Sequence, residues 1–344
     1  MTFKYKEHKD SLFFIPLGGT TEIGLNCSLY QYMGKWIMVD LGLGFADKDK
    51  VPGVDIVVPD LNTIESFKKD LLGVVLTHAH EDHIGAIQYV WGEFDCKIYA
   101  NKFTSAVLQA KLAESNIKHE DRIVEFTDGE TFDLGPFKIE AVGLSHSVPE
   151  MSSLFIQTEE GNIFHSGDWK MDPDPVVGTV TRPELLKKVA KKGVDALVSD
   201  STNIFTEGSS GSEGELKESL TSIISDIKEG IVVVTTFASN IARVKSIAMA
   251  AKAANRRVAL LGRSLHRMSR AARDTGYLED IDAFVNEDSL KKYKREELVV
   301  IATGCQGEEN AAIAKLSNKD HRFLNLNNKD TVIFASKIIP GNDK

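Results

Sequence analysis

Apolar and polar positions follow two regimes along this chain. In the first half, short branched runs end on polar segments rich in His, Asp and Ser; in the second, apolar runs alternate with stretches of helical spacing. Residues 11–17, 71–76, 97–99, 137–144, 161–165 and 196–200 predict strands, and Cys27–Tyr32 with 36–40 predicts a hairpin about Met33-Gly34-Lys35. Lys102–Glu114 predicts a helix. The loop Gly18-Gly19-Thr20-Thr21-Glu22-Ile23-Gly24 has neither a dinucleotide-binding nor a P-loop spacing, so it reads as a tight connection. A Gly/Ser-rich stretch at 207–214 marks a domain boundary, giving 1–205 and 206–344. Beyond it, helices over 213–228, 241–254 and 265–275 alternate with strands over 231–235, 258–261, Leu298–Ala302 and 331–335. That alternation predicts a second domain of α/β class with a parallel sheet.

The pattern is densest in chemistry after the run 71–76. Thr77-His78-Ala79-His80-Glu81-Asp82-His83-Ile84-Gly85 packs three imidazoles and two carboxylates into six positions. On an extended segment His78 and His80 project to the same side, so both reach one ion. Asp82 and His83 follow where the chain turns into a helix predicted over 84–89, and can hold a second. Imidazole with a few carboxylates suits zinc better than calcium or magnesium. A polar surface loop with chance histidines is the alternative, but three of only nine histidines fall here. Strand ends recur as the setting: Asp40 ends one, His146 follows another, and Asp168 a third. Asp40 would orient a ligating histidine from behind, or merely form a turn. His165 is displaced along its strand and is left out; His8, His119, His266 and His321 have no partner pattern.

Composition narrows the class. A chain of 344 residues favours two domains, and 42% hydrophobic with 26% charged residues is ordinary for a globular protein. The first ten residues are polar, no apolar run reaches spanning length, and Cys27, Cys96 and Cys305 form no C-x-x-C pair. A cytoplasmic protein without a disulfide framework is the expectation. The net charge of −9 argues against general nucleic-acid affinity, yet between Asn240 and Thr275 nine basic residues stand against one acid, Asp274. That window reads either as a phosphate-binding surface or as a solvated helix face.

His78-x-His80-x-Asp82-His83 with His146 and Asp168 resembles the ligand series of the metallo-β-lactamase fold, and the second half resembles the β-CASP insert of nucleic-acid-processing members. The closer similarity is to the bacterial ribonuclease J family. It rests on Pro16-Leu17-Gly18-Gly19, the His cluster, Ser166-Gly167-Asp168-Trp169-Lys170, Asp200-Ser201-Thr202-Asn203, Phe237-Ala238-Ser239-Asn240, Gly262-Arg263-Ser264, Gly304-Cys305-Gln306-Gly307-Glu308 and Ile339-Pro340-Gly341-Asn342. The resemblance implies an αββα sandwich followed by a β-CASP α/β domain. It implies a zinc-dependent ribonuclease acting on single-stranded, 5′-monophosphorylated RNA as 5′-to-3′ exonuclease and endonuclease, in RNA decay and rRNA maturation.

By position, His78, His80 and His146 would bind one zinc, Asp82 and His83 the other, with Asp168 bridging; Asp82 and Asp40 carry the catalytic roles. Two ions make hydroxide available at neutral pH and neutralise charge on a phosphodiester. Ser239, Asn240, Arg243, Arg263, Ser264 and Gln306 would hold RNA along a cleft between the domains. Family members continue further, with another ligand histidine, a Ser-Gly-His phosphate motif and an oligomerisation domain. The chain therefore reads as an N-terminal fragment, with incomplete coordination of the second zinc, an unfinished, aggregation-prone sheet edge and a homo-oligomeric state that is doubtful. The alternatives are a β-CASP nuclease acting on DNA, a small-molecule hydrolase of the same fold, and an inactive RNA-binding fragment.

Overall fold

The structure, a computed structural model, describes residue 8 and residues 10–46, 51–118 and 121–337. His119 and the segment Ile339-Pro340-Gly341-Asn342 lie outside the described residues. The chain separates into two compact units. One gathers Met1–His146, Glu150–Met171 and Thr179–Ser209; the other gathers Ser147–Pro149, Asp172–Gly178 and Ser210–Lys344.

The first unit begins with strands β1 (Phe13–Gly18), β2 (Cys27–Tyr32) and β3 (Lys35–Val39). A small hairpin, β4 (Gly44–Phe45) and β5 (Ile56–Val57), precedes β6 (Leu71–Val75), helix α1 (Glu81–Ile84) and β7 (Lys97–Asn101). Helix α2 (Lys102–Glu114) leads to β8 (Ile123–Phe126), β9 (Thr131–Leu134), β10 (Phe137–Gly143), β11 (Ser152–Gln157) and β12 (Asn162–His165). Helix α3 (Pro183–Ala190) and β13 (Ala196–Val198) close the unit.

The strands form two main sheets, ordered β1-β2-β3-β6-β7-β8 and β13-β12-β11-β10-β9. Strand periodicity explains how the second sheet faces two ways. Phe137, Ile139 and Ala141 of β10, Leu154 and Ile156 of β11, and Ile163 of β12 enter one core with Tyr30, Ile37, Val39 and Val75 of the first sheet. The intervening Val142, Phe155 and Phe164 pack with Val189, Leu185 and Leu186 of α3. Helix α2 lies against β7 and β8. The layers are therefore helix, sheet, sheet, helix.

The second unit holds α4 (Glu213–Asp226), β14 (Val232–Thr235), α5 (Ile241–Ala253), β15 (Arg257–Leu261), α6 (Arg263–Asp274), β16 (Leu298–Ala302), α7 (Ala312–Ser317) and β17 (Thr331–Phe334). Its four-stranded sheet, β15-β16-β14-β17, is parallel throughout. The wholly buried runs VVVT and LVVIA are what a parallel sheet covered on both faces requires. Helix α4 starts with a capping box between Ser212 and Glu215.

Two expectations change. The helix expected over 84–89 lies instead at Glu81–Ile84, followed by turns to Tyr89, so His83 sits inside it. Strands β8, β9 and β11 and helices α3 and α7 were not anticipated from the sequence. Among the described residues no helix is long and apolar enough to cross a membrane.

Candidate metal centre

Strand β6 is central in its sheet, between β3 and β7, and delivers the segment Thr77–His80 at its end, with Thr77, His78 and Ala79 buried. The one-turn helix that follows is too short to hold itself. Its carbonyls are met instead by neighbouring loops: Leu43 N donates to Glu81 O at 3.0 Å, Asn26 N to Asp82 O at 2.9 Å, and Leu41 N to His83 O at 2.7 Å. This contact leaves no room at Gly42, where a Cβ would stand 1.6 Å from Asp82 O and 2.8 Å from His83 N.

Asp40 organises the side chains. It is 1% exposed, with backbone in the left-handed region at φ 60°. Thr77 N donates to its Oδ1 at 2.8 Å, while Thr77 Oγ1 at 2.8 Å and His83 Nδ1 at 2.7 Å donate to its Oδ2. A carboxylate only accepts, so His83 carries its proton on Nδ1. Thr77 gives its single hydroxyl proton to Asp40, so at 3.0 Å its oxygen accepts from His78 Nδ1. Both rings thereby turn Nε2 toward the other candidate ligands, His83 facing Asp168 and His78 facing His80. Asp40→Asn, which replaces one acceptor with a donor, is expected to weaken metal binding about 10–100-fold, read by chelator competition; unchanged affinity would remove Asp40 from this role.

Two groups of donors result. His78, His80, His146 and Asp168 form one and Asp82, His83 and Asp168 the other, each with ligand atoms within 4.8 Å of one another. His80 Nδ1 lies 3.0 Å from His78 Nε2 and 3.2 Å from His146 Nε2. His83 Nε2 is 3.3 Å from Asp168 Oδ1 and 3.7 Å from Asp82 Oδ2. Nitrogens bound tetrahedrally to zinc stand about 3.3 Å apart, so the three converging imidazoles fit such an ion. Sequence reasoning singled out every member of both groups. It missed Asn26, whose Nδ2 reaches Asp82 Oδ2 at 3.2 Å and His83 Nε2 at 3.0 Å, and Thr77. It also missed Lys111, 4% exposed, which pairs with Glu81, a carboxylate in neither group. No local pattern signals these three: Asn26 and Lys111 act on partners remote in sequence, and the Thr77 hydroxyl takes its direction from the distant Asp40.

Electrostatics suit a cation. Burial and the neighbouring imidazoles of His83 and His80 push His78 well below the ordinary histidine range. Burial and His80 push His146 down to about 3. At His83 burial also lowers the pKa, but Asp168, Asp40 and Asp82 more than reverse it and hold the ring well above its usual value. For Asp168 burial is outweighed by His83, then His78 and His146, which hold its carboxyl well below the usual range. His165 stays outside both groups: its Nδ1 sits 2.7 Å from Tyr30 OH between the sheets, and burial pushes it down to about 4.

The residues expected to hold RNA all belong to the second unit. Ser239 and Asn240 follow β14, Arg263 and Ser264 open α6 after β15, and Gln306 follows β16, so they gather at the C-terminal ends of parallel strands. Arg263 is exposed and Ser239 and Ser264 are half-buried. Asn240 caps α5 by accepting from Arg243 N at 2.9 Å, and Gln306 Nε2 donates to Lys337 O at 2.9 Å.

Arg243 is engaged inside its own unit. Its guanidinium pairs with Glu213 through Nε at 2.7 Å and Nη2 at 3.0 Å, and Nη1 donates to Ala335 O. It is a half-buried latch between α4 and α5, with its Nε/Nη2 fork taken by Glu213. Four more cations of the basic window are engaged within the unit. Lys245 pairs with Asp280, Lys252 with Asp282, Arg256 donates to three main-chain carbonyls, and Arg273 to two. The neutralising acids lie outside the window, where a local count does not see them.

Residues 20–170 match the metallo-β-lactamase superfamily, and residues 229–344 match the family described as "Ribonuclease J, beta-CASP domain". The first defines the class that the layers and the histidine turn describe. With the second, the chain combines a metallo-β-lactamase domain with a β-CASP domain of the ribonuclease J type. Curated relatives include Ribonuclease J of Sinorhizobium meliloti, 43% identical over 99% of this chain and 62% of that protein. Ribonuclease J of Corynebacterium glutamicum is 35% identical over 98% of this chain and 47% of its own length, and that of Helicobacter pylori 33% identical over 97% and 49%. The chain thus spans about half to three-fifths of these relatives. A solved structure, titled as a protein of unknown function from Enterococcus faecalis V583, shares the fold with a TM-score of 0.60 at 16% identity, over 84% of this chain and 76% of that one.

Proposed function

We propose that the chain is the metal-binding and β-CASP portion of a zinc-dependent ribonuclease that hydrolyses phosphodiester bonds of single-stranded RNA. The observation that carries this reading is the pair of donor groups sharing Asp168, in a chain with a β-CASP domain of the ribonuclease J type. The finer reading is a cytoplasmic enzyme of RNA decay and rRNA maturation, working as 5′-to-3′ exonuclease and endonuclease and favouring 5′-monophosphate ends. The domain division proposed with it falls near residue 205.

His78, His80, His146 and Asp168 would hold one zinc ion, and Asp82, His83 and Asp168 a second. When bound, the ions supply positive charge to the phosphodiester oxygens and lower the pKa of water toward about 7. The chain's own residues do the rest. Asp40 and Thr77 fix the tautomers of His83 and His78, and Asn26 steadies Asp82. Asp82, 34% exposed and outside the group of three imidazoles, would take up the proton released as water attacks. Arg263, exposed at the start of α6, meets the RNA backbone as a cation, and Ser239, Ser264 and Gln306 line the same strand ends with hydroxyl and amide donors.

The test is cleavage of 5′-monophosphorylated single-stranded RNA by the zinc-loaded chain beside Asp82→Ala, with DNA of the same sequence as comparator. RNA cleavage is expected to be lost in the variant by at least about 10²-fold. Equal cleavage by both proteins, or cleavage of DNA alone, would overturn the assignment.

A further inference from the structure

His146 and Asp168 must meet although their strands are not neighbours. His146 follows β10 and Asp168 follows β12, and β11 lies between. Adjacent strands are about 4.8 Å apart, so these two run roughly 9–10 Å apart. Yet His146 Nε2 and Asp168 Oδ2 stand 3.9 Å from each other. The loops beyond the strands lean together across the end of β11, and a compact polar clamp holds them there.

Ser145 and Lys170 form an isolated antiparallel bridge, in which Lys170 N donates to Ser145 O at 2.9 Å. Thr181, from a third segment, locks it. Ser145 N donates to Thr181 Oγ1 at 2.6 Å, and Thr181 Oγ1 donates to Lys170 O at 3.2 Å. Ser145 Oγ donates to the same carbonyl at 2.7 Å and lies 2.9 Å from Thr181 Oγ1. The donors and acceptors balance: Thr181 Oγ1 takes one proton and gives its own, and Lys170 O receives two through its two lone pairs. Ser145 and Thr181 are 2% and 6% exposed, so water does not compete for these bonds. Ser145 precedes His146 directly, and Lys170 lies two residues past Asp168. Between Lys170 and Thr181 the segment Asp172–Gly178 groups with the other unit, and the clamp ties the two ends of that excursion.

We propose that Thr181 is a positioning residue of the metal centre: through Ser145 and Lys170 its hydroxyl sets the separation of His146 and Asp168, and so completes the donor group His78, His80, His146 and Asp168. The proposal rests on the metal-centre reading above. It needs a hydroxyl that both accepts and donates in a space of threonine size; valine fills the space and does neither.

Zinc affinity by chelator competition, and the visible spectrum of the cobalt(II)-loaded protein, decide it on the full chain. Thr181→Val is expected to bind one ion about 10–100-fold more weakly, the range for lost supporting partners, with an altered cobalt spectrum. Thr181→Ser, which restores the hydroxyl, is expected to recover both. Wild-type affinity and spectrum in a folded Thr181→Val would overturn the proposal, as would a serine variant that recovers neither. If Thr181→Val does not fold, Ser145→Ala decides the matter: weakened binding upholds the clamp and wild-type binding refutes it. A wild-type chain that binds neither metal would sink the metal-centre reading itself, and the clamp with it.

Discussion

Asp168→Asn is expected to take both ions from the chain and, with them, cleavage. Asp168 is the one residue common to the two donor groups, with Oδ1 3.3 Å from His83 Nε2 and Oδ2 3.9 Å from His146 Nε2. An amide in its place keeps the shape but removes the anionic oxygens that two cations would share. It also turns a donor toward the imidazoles. Losing a merely supporting partner costs metal affinity about 10–100-fold; losing a shared ligand exceeds that at both positions. Asp82→Ala, by contrast, touches only the second group and should leave one ion in place. Metal content after dialysis separates the two: near none for Asp168→Asn, about half the wild-type content for Asp82→Ala. Equal retention would mean that the groups do not share a ligand.

Gly42→Ala is expected to take the second ion without touching a ligand. The added carbon would lie 1.6 Å from Asp82 O, inside any van der Waals contact, and the listening side is backbone rather than a side chain that could swing away. Relief requires the loop 40–43 to part from α1, which breaks the bonds from Leu41 N to His83 O and from Leu43 N to Glu81 O. Asp82 and His83 ride on that turn, and Asp40 on that loop. Overpacking in a core usually costs about 1–3 kcal/mol; this site should lie at the upper end or beyond. Thermal unfolding should show a lower Tm, and zinc titration a lost second ion. A Gly42→Ala chain with normal Tm and normal zinc content would contradict the geometry.

The sequence carried the site further than the scaffold. The ligands were legible because chemistry compresses them: His78 to His83 lie in one turn, and the others stand at strand ends. Their supports were not, because Asn26, Thr77 and Lys111 act through partners far away or through a hydroxyl with no pattern of its own. Helix α2 could be read to the residue because its helical spacing begins just after the cap Asn101, whose Oδ1 accepts from Thr104 N. Strand β11 escaped because it starts on two serines. Their hydroxyls are buried on Asp128 Oδ1 and Ser166 O, so polarity there marks satisfied bonds and not a loop. Arg243 is illegible in the opposite sense: a charge that stands unpaired in a sequence window is paired by Glu213 from another helix.

The backbone of Asp40 limits how this position can vary through descent. A left-handed φ of 60° admits Gly, Asn and Asp readily and costs most other residues about 1–2 kcal/mol. The three donors on its side chain require two anionic acceptor oxygens, which Gly and Asn lack and only Asp and Glu supply. The two filters overlap in one residue. Neutral drift therefore has no path through position 40, and a lineage that loses Asp there must rebuild both the turn and the histidines that lean on it.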